Sequence, residues 1–96
     1  MKHPKLRLLF ITKNIEIALF VIENGVDRIF VDLELLGKVE RQGHLNTVIS
    51  RHSPEDISLL RPFLPHGSLL VRLNPVNSNT ETEVNDAIQR GADVLM

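Results

Sequence analysis

Cysteine, tryptophan and tyrosine are all absent, and the aromatic content is four Phe. Lack of Cys removes disulfide frameworks, Cys-based zinc sites and thiol nucleophiles together. A free-standing domain of 96 residues usually leans on large aromatics, disulfides or a structural metal for stability, and the sequence offers none of them. Long hydrophobic runs are missing too. The longest apolar stretches are strand-length, which excludes a transmembrane helix. No signal-peptide core follows the charged start Met1-Lys2-His3-Pro4-Lys5. Charge of one sign is also lacking: 11 Lys and Arg stand against 12 Asp and Glu. Without a basic or acidic excess there is no electrostatic footprint for nucleic acid or an anionic membrane. The expectation is a soluble, cytoplasmic protein with neither as a partner. With 43% hydrophobic and 24% charged residues, the chain reads as globular rather than disordered.

What is present is a rhythm of short apolar runs rich in Leu, Ile and Val, the mixture of buried parallel strands. Leu6 to Ile11 reads as a first buried strand. Thr12-Lys13-Asn14 offers a helix N-cap. Ile15, Ala18, Leu19 and Ile22 then recur at helical spacing until Gly25 stops the segment. Arg28 to Leu33 is a second strand, followed by a long polar loop from Leu36 to His52. Ser53 before Pro54-Glu55-Asp56 places a cap, a proline in the first turn and acids at the positive end of a helix. That helix carries Ile57, Leu60 and Leu64 and ends at Pro65-His66-Gly67. Ser68 to Leu73 is the third strand, broken by Asn74-Pro75. Thr80 caps a helix running to Arg90, Gly91 closes it, and Ala92 to Met96 begins a fourth strand.

The order β-α-β-α-β-α-β with apolar strands means α/β architecture and a parallel sheet with right-handed crossovers. A weak repeat agrees: Ile22-Glu23-Asn24-Gly25-Val26-Asp27 and Ile88-Gln89-Arg90-Gly91-Ala92-Asp93 both run from helix end through Gly and a small apolar residue to Asp. Gly takes the left-handed turn, and the next apolar residue packs under the helix. A doubly wound sheet usually carries a Gly-rich phosphate loop after its first strand, but here that turn is Thr12-Lys13-Asn14. A barrel instead gathers polar residues at the C-terminal ends of its strands. Lys13, Asp32, Glu34, Arg72 and Asn74 fall at those ends. The expected fold is therefore the N-terminal part of a (β/α)₈ TIM barrel, a single partial domain of three and a half βα units.

Arg72 is the first candidate for chemistry. It lies between Val71 and Leu73, inside an apolar strand where a guanidinium is costly unless paired. One reading is an ion pair with Asp32 or Glu34; the other is a fork holding a substrate carboxylate or enolate. The two are compatible, with the acids orienting the Arg. Asp32 and Glu34, two apart in a strand, face the same side, where like charges repel unless a cation or Arg lies between them. In the long loop, Arg41 and Gln42 are candidates to reach a substrate's distal end; the other reading is a solvated loop with interface contacts. His44 and His52 have no metal-ligand spacing and read as structural; His3 and His66 read as surface residues.

Three segments resemble the HpcH/HpaI aldolase and citrate lyase β-subunit family of (β/α)₈ barrels. They are Gly25-Val26-Asp27-Arg28-Ile29-Phe30-Val31-Asp32-Leu33-Glu34, Val71-Arg72-Leu73-Asn74-Pro75 and Gly91-Ala92-Asp93-Val94-Leu95-Met96. The resemblance implies divalent-metal-dependent cleavage or formation of a carbon–carbon bond beside a 2-oxo acid (pyruvate- or oxaloacetate-like) or an acyl-CoA-type thioester. Mg²⁺, or Mn²⁺ or Co²⁺, would act as Lewis acid on the enolate. Arg72 inherits the catalytic role of holding that enolate, and Asp32 and Glu34 line the same pocket. The family's metal-binding Glu and Asp lie on later strands, so metal ligands are expected beyond Met96 and none within the chain. The chain departs from the family at Leu35, where aldolase members carry His and citrate lyase-like members a further acid. The parent is expected to be a homo-oligomeric enzyme and the 96-residue chain inactive alone. The alternative is a non-catalytic half-barrel or interaction module that self-associates through an exposed apolar edge.

Overall fold

The computed structural model describes residues 6–35 and 52–96. They form three-residue β1 (Leu9–Ile11), α1 (Ile15–Glu23), β2 (Arg28–Asp32), α2 (Pro54–Leu60), a 3₁₀ turn (Arg61–Phe63), β3 (Leu69–Arg72), α3 (Thr80–Arg90) and β4 (Val94–Leu95). The strands make one four-stranded sheet in the order β1-β2-β3-β4, and every neighbouring pair is parallel. The class is thus α/β with a parallel sheet. No helix among the described residues is long and apolar enough to cross a membrane.

Register follows from side-chain parity. Ile29 pairs with Leu69 and Val31 with Val71, and all four are fully buried. They form the core with Ala18 of α1, Ile57 and Leu60 of α2 and Ala87 of α3. All three helices therefore pack against one face of the sheet. Phe30 and Leu70, paired with each other, are buried with the opposite parity. On that second face, at the C-terminal ends of the strands, Asp32 stands opposite Arg72.

Helix ends follow the capping logic of the sequence. The Asn14 side chain accepts from the Ile17 N–H at 2.9 Å, and Asp56 Oδ2 accepts from the Ser53 N–H at 2.7 Å. The two Gly-Asp repeats have one structural cause. Gly25 and Gly91 adopt φ of +102° and +112°. The next N–H, of Val26 or Ala92, reaches back to the carbonyl of Val21 or Ala87, closing the helix in a Schellman turn. The following Asp then accepts a backbone N–H of the preceding strand segment: Leu8 to Asp27 at 2.8 Å and Leu69 to Asp93 at 3.0 Å. Each unit so aligns its strand with its neighbour.

At β4 a further clamp is added. Arg61 Nη1 donates to Asp93 Oδ2 (2.6 Å) and to the Gly91 carbonyl (2.7 Å), while Nη2 donates to the Leu64 and Pro65 carbonyls at 3.0 Å each. Burial alone would push the Asp93 carboxyl up. The Arg61 hydrogen bond and charge, with the Leu69 and Gly67 N–H groups, outweigh burial and hold it below the ordinary Asp value.

Several elements differ from expectation. The first strand is shorter than Leu6 to Ile11 and all its residues are exposed, because β1 is an edge whose partner among the described residues is β2. Leu19, expected on the buried face of α1, is exposed, while Ile15, Val21 and Ile22 pack on the core. The second helix changes to a 3₁₀ turn at Arg61, where Pro62 cannot donate an intrahelical hydrogen bond. Thr80 is the first residue of α3 rather than its cap, and its hydroxyl accepts from the Asn77 N–H at 2.7 Å. The fourth strand is Val94–Leu95, within the expected 92–96.

The two glycines give a paired test. An added Cβ at Gly25 meets open space, whereas at Gly91 it collides with Arg61 Cδ and Cγ. Gly25→Ala is expected to cost about 1 kcal/mol, from positive φ alone. Gly91→Ala is expected to cost about 2–3 kcal/mol, because the Arg61 clamp must also move. Urea unfolding of both variants measures this, and equal costs would remove the clamp from the account. The lowered Asp93 value sets a pH dependence. Its contribution is present above the ordinary Asp value of 3.8 and is lost as pH falls through the lower folded-state value. Asp93→Asn is therefore expected to destabilise by about 1–3 kcal/mol near neutrality. The gap to the unaltered protein should narrow in melts taken below pH 4.

Candidate functional site

The C-terminal end of β2 and β3 carries the charged cluster. Arg72 Nη2 donates to Asp32 Oδ2 at 2.7 Å and Nε to Asp32 Oδ1 at 3.1 Å, a two-pronged pair across the strands. Glu34 Oε2 lies 3.6 Å from Arg72 Nε. The Glu34 N–H donates to Asp32 Oδ1 at 3.1 Å, a local turn at the end of β2. The guanidinium carbon sits 5.3 Å from the centroid of Phe30, a cation–π distance. Asp32 and Glu34 are both buried, while the Arg72 side chain remains 28% exposed. The Asp32 hydrogen bond raises the Arg72 pKa above its ordinary value, outweighing the lowering by partial burial. Arg72 is a permanent cation here.

Two carboxylates on one side of a single guanidinium leave a clear division of labour. Nε and Nη2 are spent on Asp32, and Nη1 makes no hydrogen bond among the described residues. A guanidinium held by two nitrogens is fixed in plane and direction, so the remaining one meets an anion without losing much side-chain freedom.

The structure thus brings Asp32, Glu34 and Arg72 together, as their parity requires. Lys13 follows β1 at the same end of the sheet. Arg41, Gln42 and His44 lie outside the described residues. His52, read from sequence as structural, touches the cluster: its Nδ1 accepts the Asp32 backbone N–H at 2.9 Å. With Nδ1 accepting, the neutral ring carries its proton on Nε2. No sequence signal marks this contact, since it links residues twenty apart through a backbone group.

Beside the cluster, with the opposite parity, is a cavity of about 210 Å³ lined by Leu33, Leu35, His52, Leu73, Asn74 and Glu83. Asn74, a rim candidate in the sequence, connects its walls. Its Oδ1 accepts the Leu35 N–H at 2.7 Å and its Nδ2 donates to Glu83 Oε1 at 3.0 Å. Asn77 Nδ2 donates to the other Glu83 oxygen at 3.1 Å. Glu83 passed unnoticed in the sequence because a Glu in the first turn of a helix is ordinary. Here it holds the β3–α3 loop.

Among the described residues no group of three His, Asp or Glu is arranged to hold a metal ion. Both Asp32 oxygens face Arg72, so the Asp32–Glu34 pair is not by itself a metal site. Compared with known proteins, the chain matches no family model, no curated protein and no solved structure.

The geometry ranks the two acids. Asp32→Asn is expected to cost about 2 kcal/mol, since it removes the carboxylate charge that pairs a part-buried guanidinium. Glu34→Gln, whose carboxylate lies 3.6 Å from Arg72 Nε, is expected to cost less than Asp32→Asn. Urea denaturation of the two single variants and the double variant gives the comparison. A larger loss at Glu34 would reverse the assignment of the Arg72 anchor.

Proposed function

We propose that these βα units begin a (β/α)₈ barrel whose strand rim binds a small 2-oxo acid or acyl thioester. The reaction is divalent-metal-dependent carbon–carbon lyase or aldolase chemistry of the HpcH/HpaI and citrate lyase β type. Two features of the fold support the barrel. The strands follow one another in consecutive order, and the three helices pack on one face. A doubly wound sheet reverses its strand order at a switch point and carries helices on both faces. A barrel keeps its helices outside and its polar rim at the C-terminal strand ends, the end at which Asp32 and Arg72 stand.

The observation that carries the chemistry is the half-spent guanidinium of Arg72. Breaking a carbon–carbon bond beside a 2-oxo group leaves negative charge on an enolate oxygen. A cation already fixed in direction stabilises that charge with little reorganisation. In this reading Arg72 offers Nη1 to the carboxylate or enolate oxygen, and Asp32 positions the fork. Glu34 adds negative charge that keeps the guanidinium seated. Mg²⁺, Mn²⁺ or Co²⁺ is the ion the resemblance implies. In this reading its ligands lie on later strands of the parent. With Leu35 apolar, the proton-transfer group is not assigned to that position. A second reading, favoured by the two nitrogens spent on Asp32, is that Arg72 only ties β2 to β3.

Arg72→Lys separates the two. Lys keeps the charge and cannot make the fork. In the full-length parent a loss of about 100-fold in Mg²⁺-dependent turnover of a pyruvate- or oxaloacetate-forming substrate is expected, with far-UV circular dichroism preserved. Unchanged turnover would make Arg72 structural.

A further inference from the structure

The end of the sheet opposite Arg72 holds a second group of cations. A cavity of about 300 Å³ opens there, among the N-terminal ends of β1, β2 and β3. Arg7 precedes β1, Asp27 and Arg28 stand where β2 begins, and His66 and Gly67 lie in the turn before β3; all five line the cavity. Arg28 is the residue that needs explaining. It is the first residue of β2, half-buried, with the same parity as Phe30 and Asp32. Arg61, Arg72 and Arg90 each meet a carboxylate, as a partly buried guanidinium requires. Arg28 forms no ion pair among the described residues. Its one hydrogen bond there runs from Nε to the Gly67 carbonyl at 3.3 Å. That contact ties the guanidinium to the turn before β3 and leaves both Nη groups unspent.

The surroundings do not neutralise it. Arg7 adds a second positive charge from a separate segment, and the His66 side chain, 99% exposed, adds an imidazole. Among the described lining residues Asp27 is the one acid, and its Oδ2 accepts the Leu8 N–H at 2.8 Å. Asp93, whose Oδ1 lies 3.8 Å from His66 Nδ1, is already paired with Arg61. The cavity therefore carries an excess of positive charge on donors that come from different loops.

We propose that this cavity binds a small phosphate monoester, with Arg28 and Arg7 on the phosphate and the organic part in the remaining space. A carboxylate has two coplanar oxygens and is satisfied by one guanidinium fork. A phosphate monoester carries close to two negative charges on three outer oxygens. Donors arriving from separate segments then each find an acceptor, and Arg supplies the geometry that phosphate takes. The phosphate alone fills only part of a cavity of about 300 Å³, a volume at the lower end of small-molecule pockets. Ile22 and Pro65 give the rest of it an apolar wall, suited to a short carbon chain. The inference goes beyond the lyase reading and does not rest on it, because Arg72 stands at the other end of the strands.

Isothermal titration calorimetry on the full-length protein, in phosphate-free buffer, tests this with glycerol 3-phosphate, inorganic phosphate and glycerol. Glycerol 3-phosphate is expected to bind, inorganic phosphate to bind about 10-fold more weakly, and glycerol not to bind. Arg28→Gln should weaken glycerol 3-phosphate by about 10-fold or more, and Arg28→Lys, which keeps the charge without the fork, by less. Arg7→Gln alters an exposed residue ahead of β1, so its expected loss of about 10-fold is read on an intact fold. Arg72→Lys should leave the affinity unchanged. No binding of glycerol 3-phosphate, or binding that survives both Arg28→Gln and Arg7→Gln, would overturn the proposal. So would inorganic phosphate binding as tightly as the monoester, which marks a site for the free ion. Affinity lost in Arg72→Lys would move the ligand to the opposite rim and overturn it as well. The anion-holding role of Arg72 stands or falls with its own turnover measurement.

Discussion

The register between β2 and β3 is the constraint on which the rest depends. A slip of one residue in a parallel pair sends every side chain to the other face. Here it would expel Ile29, Val31, Leu69 or Val71 from a core in which all four are fully buried, and it would turn Arg72 into the helix layer. At about 25 cal/mol per Å² of apolar surface, several kcal/mol of burial oppose such a slip. The correct register puts Asp32 beside Arg72, so the charged cluster is a consequence of apolar alternation one step earlier in the chain. The Asp32–Arg72 pair then adds specificity of its own: one strand cannot slide past the other without separating two partly buried charges.

Around that centre the βα units are made alike. Gly25 and Gly91 end their helices in the same turn, and Asp27 and Asp93 bind the backbone of the preceding strand segment in the same way. The second unit is reinforced by Arg61, which ties the α2 side of the molecule to the α3–β4 turn. Arg90 of α3 ties the two helices again through Ser58 Oγ of α2 at 3.0 Å, while its Nε donates to Asp86 of its own helix at 2.9 Å. The α2–α3–β4 region is thus cross-linked by polar contacts. The β1–α1 region has mostly apolar surface to offer, and much of it is uncovered.

Much of this was legible in the sequence. Apolar runs separated by Gly-containing turns gave the alternation, and Asn14, Ser53 and the Gly-Asp turns marked helix boundaries with known chemistry. Arg72 was conspicuous because a guanidinium in an apolar run must find a partner, and the parity of Asp32 and Glu34 limited which partner it was. The misses share one cause: each depends on a neighbour distant in sequence. Leu6 to Ile11 reads as buried because composition cannot distinguish an edge strand from a central one. Leu19 is apolar at helical spacing, yet its side of α1 meets nothing among the described residues that buries it. His52 binding the Asp32 N–H, Glu83 gathering Asn74 and Asn77, and Arg61 collecting carbonyls from two loops are long-range contacts with no local signature.

The central claim is that Arg72 is a guanidinium anchored on one side and available on the other. Nitrogen-resolved NMR of the arginine side chains during titration with oxalate and Mg²⁺ tests it most directly, since oxalate is planar and anionic like the enolate of pyruvate. The account predicts that the Nη1 signal of Arg72 shifts saturably while Nε and Nη2, held by Asp32, stay in place. A titration that leaves Nη1 unmoved, or that moves all three nitrogens together as the Asp32 pair breaks, would contradict it.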